Sequence, residues 1–251
     1  MTRAGARPHV IVGECGGAVN TAKCQALGWG RLRVARRYLP YAGERWAFDN
    51  GAFRFWSQGQ PYDWTTFERQ RVDVERMVLE GGHPPPLFGV VPDLVAEGEV
   101  SLRFSLAWLD RWRETELARL LRPAPIPPYY GALVIPWYLA VQDGMTPAML
   151  EAPHPFGARG HGPPIICHVE GIFLGGTTAW KEATAAAWRS LVDRWGGRLH
   201  YARAGTVRKL RHAHAVGADS VDSALMLRSH QKFSAYATAW AALDSRSTTT
   251  L

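Results

Sequence analysis

Short apolar runs alternate along this chain with longer stretches in which apolar residues recur at helical spacing. Seven of the short runs are predicted to form strands, at residues 9–12, 46–48, 87–91, 137–141, 165–174, 199–202 and 220–221. Strands that alternate with helices are typical of an α/β fold with a parallel sheet or barrel. We therefore expect one barrel-like domain over residues 1–243, followed by a flexible tail at residues 244–251.

Three of the helical stretches have recognisable ends. The first is predicted to begin at a capping box of Thr65 and Glu68 and to end at the Gly-Gly pair 81–82. The second begins near Thr177 and ends at the Gly-Gly pair 196–197. The third has apolar residues at 207, 210, 213 and 216, and its opposite face is basic.

Composition excludes an intrinsically disordered chain and favours a polyanionic partner. Of the 251 residues, 47% are hydrophobic and 20% are charged, which is the composition of a folded protein. The 29 Lys and Arg outnumber the 22 Asp and Glu, giving a net charge of +7. Such a charge suits nucleic acid, although many basic proteins bind none.

Cysteine usage and the lack of long apolar runs indicate an intracellular protein. Cys15, Cys24 and Cys167 are odd in number and form no C-x-x-C pair, so neither a disulfide framework nor a zinc ribbon is expected. The apolar runs are too short to cross a membrane. We expect a cytoplasmic protein without a metal, a cofactor or a membrane partner.

Polar residues or glycines follow five of the predicted strands. These residues are Asp49, Asp93, Gln142, the pair Gly175-Gly176, and Asp222. In a parallel α/β barrel the carboxyl ends of the strands converge on the face that holds the active site. Taken singly, each aspartate is as well explained by a helix N-cap or a turn, and His200, His212 and His214 by packing or surface positions. Taken together, they predict one pocket with three carboxylates.

Four short segments stand out, namely Asp-Asn-Gly-Ala-Phe at 49–53, Val-Gln-Asp-Gly at 141–144, Phe-Leu-Gly-Gly at 173–176 and Gly-Ala-Asp-Ser-Val-Asp at 217–222. In their order and approximate positions they resemble motifs of the tRNA-guanine transglycosylase superfamily. Residues 200–223 look most like the phage and bacterial branch that inserts 7-deazaguanines into DNA. The resemblance covers residues 46–223 and implies a TIM-type (β/α)8 barrel.

The resemblance also implies roles for individual residues. Asp222 matches the nucleophile and Asp49 the general acid/base, and of these two we expect Asp49 to carry the proton. The implied base-binding residues are Asp93 and Gln142, which read the purine edge, the Gly175-Gly176 backbone, and Asn50 and Phe53 of the Asp49 motif. In this family the aspartate nucleophile forms a covalent bond to C1′ of the nucleotide, as in retaining glycosidases.

Departures from the family motifs favour DNA over tRNA as the substrate. Asn50 stands where the family has Ser, Ala52 stands where it has Gly, and the Cys-rich zinc subdomain is absent. Residues 223–226 replace a Pro-Thr-Arg segment of the tRNA enzymes. The expected partners are therefore DNA and a free 7-deazaguanine base such as preQ0, in a bacterial or phage-infected cell.

Basic residues are the expected phosphate contacts, and other functions stay open. The predicted contacts are Arg31, Arg33, Arg36, Arg37, Arg208, Lys209 and Arg211. Three alternatives remain: the same exchange on tRNA, an enzyme that releases the base without an acceptor, and a catalytically idle nucleic-acid-binding barrel.

Overall fold

Eight parallel strands close into a barrel in the order in which they occur along the chain. A computed structural model describes residues 6–13, 18–34, 43–120, 135–154 and 163–243. The strands are β1 (His9–Gly13), β2 (Gly30–Arg33), β3 (Trp46–Phe48), β4 (Gly89–Val90), β5 (Trp137–Val141), β6 (Gly171–Leu174), β7 (Arg198–Tyr201) and β8 (Ser220–Asp222). Pairing of β8 with β1 closes the barrel and sets Ile11 beside Asp222. The predicted TIM-type barrel is therefore confirmed, and the predicted tail at 244–251 lies outside the described residues.

Helices follow the strands and cover the barrel. They are α1 (Ala18–Ala26), α2 (Ala52–Ser57), α3 (Trp64–Leu79), α4 (Gly98–Leu120), α5 (Pro147–Glu151), α6 (Thr178–Trp195), α7 (Val207–Ala215) and α8 (His230–Ala241), with 3₁₀ helices at Ile165–His168 and Leu225–Arg228. Among the described helices, none has both the length and the apolar character needed to cross a bilayer.

The pleat of each strand divides its side chains between the barrel interior and the helix layer. In β5, Tyr138 and Ala140 pack inside the barrel with Phe88, whereas Trp137 belongs to the outer core. Trp137 meets Trp108 of α4 at a ring-centroid distance of 4.8 Å. This aromatic contact anchors α4 on the barrel and so fixes the loop between β4 and α4, which carries part of the site.

Strand β2 was not predicted because its outward positions are charged. Leu32 faces the interior, so Arg31 and Arg33 on either side of it face the helix layer. There both guanidinium groups contact the buried carboxylate of Glu44, and Arg33 Nη2 lies 2.9 Å from each of its oxygens. Arg33 is only 3% exposed. The prediction of a phosphate contact is therefore wrong for Arg33, and Arg31 is engaged by the same carboxylate.

Two further predictions need correction, and two are confirmed. The run 165–174 is not one strand, because a 3₁₀ helix follows Pro164 and β6 starts only at residue 171. The Thr65–Glu68 capping box is wrong, since Asp63 Oδ1 accepts from the backbone N of Thr66 at 2.9 Å. Helix α6 does begin after the cap Thr177, and it ends at Trp195, directly before its C-cap Gly196, as predicted.

Candidate active site

A cavity of about 180 Å³ lies at the carboxyl ends of the strands. Every residue predicted to act on the sugar or to bind the base lines it: Asp49, Asn50, Phe53, Asp93, Gln142, Gly175, Gly176 and Asp222. Apolar side chains from inside the barrel complete its wall, among them Leu32, Val90 and Phe173. The prediction that three carboxylates from β3, β4 and β8 share one cavity is confirmed.

A larger cavity, of about 550 Å³, lies at the opposite end of the barrel. Its wall includes His9 at the start of β1, Trp29 and Arg45 just before β2 and β3, and Trp240 at the end of α8. In parallel α/β barrels this amino end serves stability, and chemistry occurs at the carboxyl end. The smaller cavity, with its three carboxylates, is therefore the candidate active site.

Asp222 is the last residue of β8 and is held through one of its two carboxylate oxygens. Oδ1 accepts from His200 Nε2 at 3.0 Å and from the backbone N of Arg203 at 2.9 Å. Oδ2 has no hydrogen-bond donor in the described part of the chain. Asp222 is 7% exposed. The carboxylate is thus fixed in orientation while one oxygen remains available for bond formation.

His200 lies inside the barrel and contacts the carboxylate of Asp222. It is fully buried, and its ring stacks on Phe173 at a centroid distance of 4.7 Å. Its Nδ1 lies 2.9 Å from Ser220 Oγ. An ionised Asp222 only accepts, so Nε2 carries a hydrogen and donates it to Oδ1. The sequence indicated a packed histidine but not its contact with the nucleophile candidate.

Asp49 has a strongly altered acidity. Burial is the largest cause, and together with the negative charge of Asp222 and then of Asp93 it raises the pKa of Asp49 to about 7. Hydrogen bonds from the backbone N–H groups of Gly51 and Asn50 offset only part of this. A carboxyl group with a pKa near neutrality can both donate and accept a proton at pH 7. The raised pKa of Asp49 supports the expectation that Asp49, and not Asp222, holds the proton.

Asp93 is a buried carboxylate that is oriented by Asn50. Burial raises the pKa of Asp93 to about 6, and the Asn50 amide partly opposes this by donating to Asp93 Oδ1 at 2.7 Å. The same amide donates to the Val91 carbonyl at 2.8 Å, while Asn50 Oδ1 accepts from the backbone N of Ala52. Asn50 therefore positions Asp93 and the start of α2, and its predicted direct contact with substrate is not favoured.

Gln142 and Gly175 line the cavity, and both make hydrogen bonds within the chain. Gln142 Oε1 accepts from the backbone N of Ala96 at 2.6 Å, and its Nε2 donates to the Leu94 carbonyl at 2.7 Å. The Gly175 N–H donates to the Val141 carbonyl at 2.8 Å. Gln142 thus holds the loop after Asp93, while the second N–H of its amide has no acceptor in the described part of the chain. The N–H of Gly175 is already used and is not free for the predicted base contact.

Gly176 differs from its neighbour, because no acceptor in the described chain takes its N–H. Its φ of 73° lies in the left-handed region, and a Cβ there would come within 2.6 Å of Asp143 Oδ2. Asp143 in turn accepts from the backbone N and the hydroxyl of Thr177, each at 2.6 Å. Asp143 therefore fixes the Gly-Gly turn, which requires glycine at 176.

Sequence reasoning missed two cationic residues beside the site. Arg203 follows β7, donates its backbone N–H to Asp222, and contacts the Gly176 carbonyl through its guanidinium group. Lys181 of α6 is buried and donates to the Ala202 carbonyl. Burial, and then the charge of Arg203, lower the pKa of Lys181 to about 7. The rule applied to aspartates after strands would have found Arg203 had it been extended to cations.

The remaining basic residues have mixed positions. Arg208 is exposed and pairs with Glu182 at 2.7 Å, Lys209 Nζ donates to Thr178 Oγ1 at 2.9 Å, and Arg211 is exposed. Arg36 and Arg37 lie outside the described residues. Among the described residues, no three His, Cys, Asp or Glu side chains come together as a metal ion would require.

Comparison with known proteins supports the fold alone. No protein-family model and no curated protein matches the chain. Among solved structures, the BexX/CysO complex of Amycolatopsis orientalis is similar, with a TM-score of 0.54 and 13% sequence identity. The match covers 98% of this chain and 93% of that chain. At this identity the likeness extends to the architecture and carries no information on the reaction.

Proposed function

We propose that this protein exchanges guanine in DNA for a 7-deazaguanine base such as preQ0, through a covalent bond between Asp222 and C1′ of the nucleotide. The observation that carries the proposal is the pairing of two unlike carboxyl groups in one cavity. Asp222 has one oxygen held and one available, and Asp49 has a pKa of about 7. A carboxyl group with a pKa near neutrality can act as an acid/base, and a carboxylate held in one orientation beside it can act as a nucleophile.

In the first half of the reaction, Asp222 Oδ2 forms a bond to C1′ while the bond from C1′ to N9 of guanine breaks. Asp49 donates its proton to the departing purine, which leaves as a neutral base. Because charge develops on the sugar ring in the transition state, a carboxylate beside C1′ stabilises that state. Proton transfer from a positioned acid contributes roughly 10²–10⁴-fold to the rate.

The second half of the reaction reverses these roles. The carboxylate of Asp49 takes the N9 proton of the incoming base, N9 attacks C1′, and the bond from C1′ to Asp222 Oδ2 breaks. Asp49 is then protonated and Asp222 is ionised again. Atoms and protons therefore balance over one exchange, and both residues return to their starting state.

Recognition of the base is proposed to use Asp93 and Gly176. An ionised Asp93 accepts from N1–H and from the exocyclic amine of a guanine-like ring, an edge that guanine and 7-deazaguanine share. The Gly176 N–H and the second N–H of the Gln142 amide are the available donors for O6. Adenine lacks the N1–H donor, and an acceptor left unpaired in a buried site costs about 1–3 kcal/mol.

Two features favour a nucleic acid as the substrate. The net charge is +7, and Arg203 lies at the cavity beside Asp222. Since a duplex hides C1′, the guanine must be flipped out or unpaired before it can enter the cavity. The choice of DNA over tRNA rests on the motif resemblance.

The test is to trap the covalent intermediate. Protein is mixed with guanine-containing DNA and no free base, and the mixture is run on a denaturing gel beside tRNA and guanine-free DNA. We expect a shifted band with guanine-containing DNA that is absent with Asp222→Ala. An adduct on tRNA alone would assign the tRNA reaction, abasic sites would indicate base release, and no reaction on any substrate would favour the idle barrel.

A further inference from the structure

Helix α2 exposes two aromatic rings in mutual contact beside the mouth of the cavity. Phe53 lines the cavity and is 50% exposed, and Trp56, one turn later, is 52% exposed. Their ring centroids are 5.6 Å apart with an angle of 38° between the planes. Single exposed apolar side chains are ordinary, whereas a contiguous exposed pair that continues a cavity marks a binding surface.

Two arginines lie close to this pair. Arg54 lies between Phe53 and Trp56 in the sequence, and its side chain is exposed. The Arg203 guanidinium carbon lies 5.4 Å from the centroid of the Phe53 ring. Aromatic rings interleaved with arginine are typical of surfaces that bind single-stranded nucleic acid, where bases stack and cations meet phosphates.

We propose that Trp56 stacks on the base adjacent to the exchanged guanine in an unpaired strand, and that Arg54 contacts the strand's phosphates. This inference rests on the proposed function. With the purine in the cavity beside Phe53, the next ring outward is Trp56, which one sugar–phosphate linkage can reach. Every base has a π face, so the contact would discriminate strand from free nucleotide and not one neighbouring base from another.

Replacing Trp56 should weaken the reaction with a strand and leave the reaction with a single nucleotide almost unchanged. Loss of one stacking contact weakens binding of a strand roughly tenfold to a hundredfold. Trp56→Ala should therefore raise KM for a five-nucleotide strand with a central guanine by about that factor. Adduct formation with a single guanine nucleotide should change little, and Trp56→Phe should restore most of the loss.

The matched control is Trp195→Ala. Trp195 is 44% exposed and ends α6, at the opposite end of the barrel from the cavity. The Trp195→Ala substitution removes an exposed tryptophan that lies away from the site, so this variant should behave as wild type on both substrates. Circular dichroism and melting temperature confirm that each variant is folded before its kinetics are compared.

The outcomes distinguish failure of this inference from failure of the proposed function. If wild type forms the adduct and Trp56→Ala matches it on the five-nucleotide strand, the stacking role is wrong and the exchange reaction stands. If wild type forms no adduct, the proposed function fails. The stacking role is then decided by fluorescence anisotropy of the labelled strand, where equal binding by Trp56→Ala, or no binding by wild type, overturns it. Trp56-dependent binding to anionic vesicles but not to the strand would also overturn it.

Discussion

His200 Nε2 lies 3.0 Å from Asp222 Oδ1 inside the barrel, which ties the carboxylate at the end of β8 to the neighbouring strand β7. The imidazole is itself fixed by Ser220 and by stacking on Phe173. A carboxylate held through one oxygen presents the other in a single direction. His200 is therefore a positioning residue for the proposed nucleophile, and it is fixed before substrate arrives.

Replacing His200 should slow adduct formation more than it weakens DNA binding. His200→Phe removes the donor to Asp222 and leaves the Ser220 hydroxyl unpaired, at a cost to stability of about 1–3 kcal/mol. We expect the single-turnover rate to fall roughly tenfold to a hundredfold, the equivalent of a lost hydrogen bond to a charged group, with KM nearly unchanged.

The conservative variant separates positioning from packing. His200→Gln keeps an amide donor near Nε2, so it should recover much of the rate even if its stability is as low as that of His200→Phe. Single-turnover kinetics and melting temperature are measured on the same samples. Equal rates for the two variants would mean that His200 acts by packing alone.

The pH dependence of the first half-reaction should report Asp49. Base departure needs protonated Asp49, whose pKa is raised to about 7 by burial and by Asp222. The rate of adduct formation should therefore fall tenfold per pH unit above about pH 7. Asp49→Asn should lose roughly 10²–10⁴-fold and should also lose this pH dependence. An unchanged profile in Asp49→Asn would assign the acid to another group.

The same shift predicts how stability depends on pH. Between about pH 4 and about pH 7, folded Asp49 keeps a proton that the unfolded chain has lost, so wild-type stability falls as the pH rises through that window. Asp49→Asn does not titrate. Its unfolding free energy relative to wild type should therefore rise across the window, with a slope of at most about 1.4 kcal/mol per pH unit.

A control with the opposite sign is available in Asp63, the cap of α3. Hydrogen bonds from Thr66 lower the pKa of Asp63, so its stabilising contribution is lost only as the pH falls below the usual aspartate range. Denaturant unfolding of Asp49→Asn and Asp63→Asn beside wild type, from pH 3 to pH 8, would show the two trends. A constant difference between Asp49→Asn and wild type would contradict the raised pKa.

Asp93 and Asn50 should together set the choice of base. Asp93→Asn replaces one of two acceptor oxygens by an amide donor, so kcat/KM for guanine should fall roughly tenfold to a hundredfold, the equivalent of an unpaired buried group. A purine without the N1–H donor should gain relative to guanine. Asn50→Ala keeps the carboxylate but removes the donor that opposes its raised pKa. Guanine binding by Asn50→Ala should therefore require a higher pH. Inhibition by free guanine and adenine between pH 5 and pH 8 measures both effects.

The sequence predicts those site residues that lie at the carboxyl ends of strands. Asp49, Asp93 and Asp222 each come directly after a buried run, and closure of a parallel barrel brings such positions together whatever their separation in sequence. The missing strand β2 was hidden because Arg31 and Arg33 face outward, where the buried Glu44 compensates them. The position of Glu44 beside these two arginines cannot be read from the pattern of hydrophobic and polar residues.

The roles of the amide residues could not be predicted for a similar reason. Gln142 and Asn50 have side chains of the right type for reading a base, and both reach the cavity. Their hydrogen-bond partners are set by the path of the backbone at residues 91–96. Ala96, which donates to Gln142, is 46 positions away from it in the sequence. The pattern of residue types does not predict the left-handed conformation of Arg203, which has a φ of 57°. The backbone N–H of Arg203 nevertheless donates to Asp222.

The most direct measurement is peptide mapping of the trapped adduct by mass spectrometry. Protein incubated with a guanine-containing strand is denatured, digested with nuclease and protease, and sequenced. We expect a deoxyribose-linked nucleotide remnant on Asp222, one free guanine released per adduct, and neither product from Asp222→Ala. A remnant on another residue, or guanine release with Asp222 unmodified and an abasic strand left behind, would contradict it.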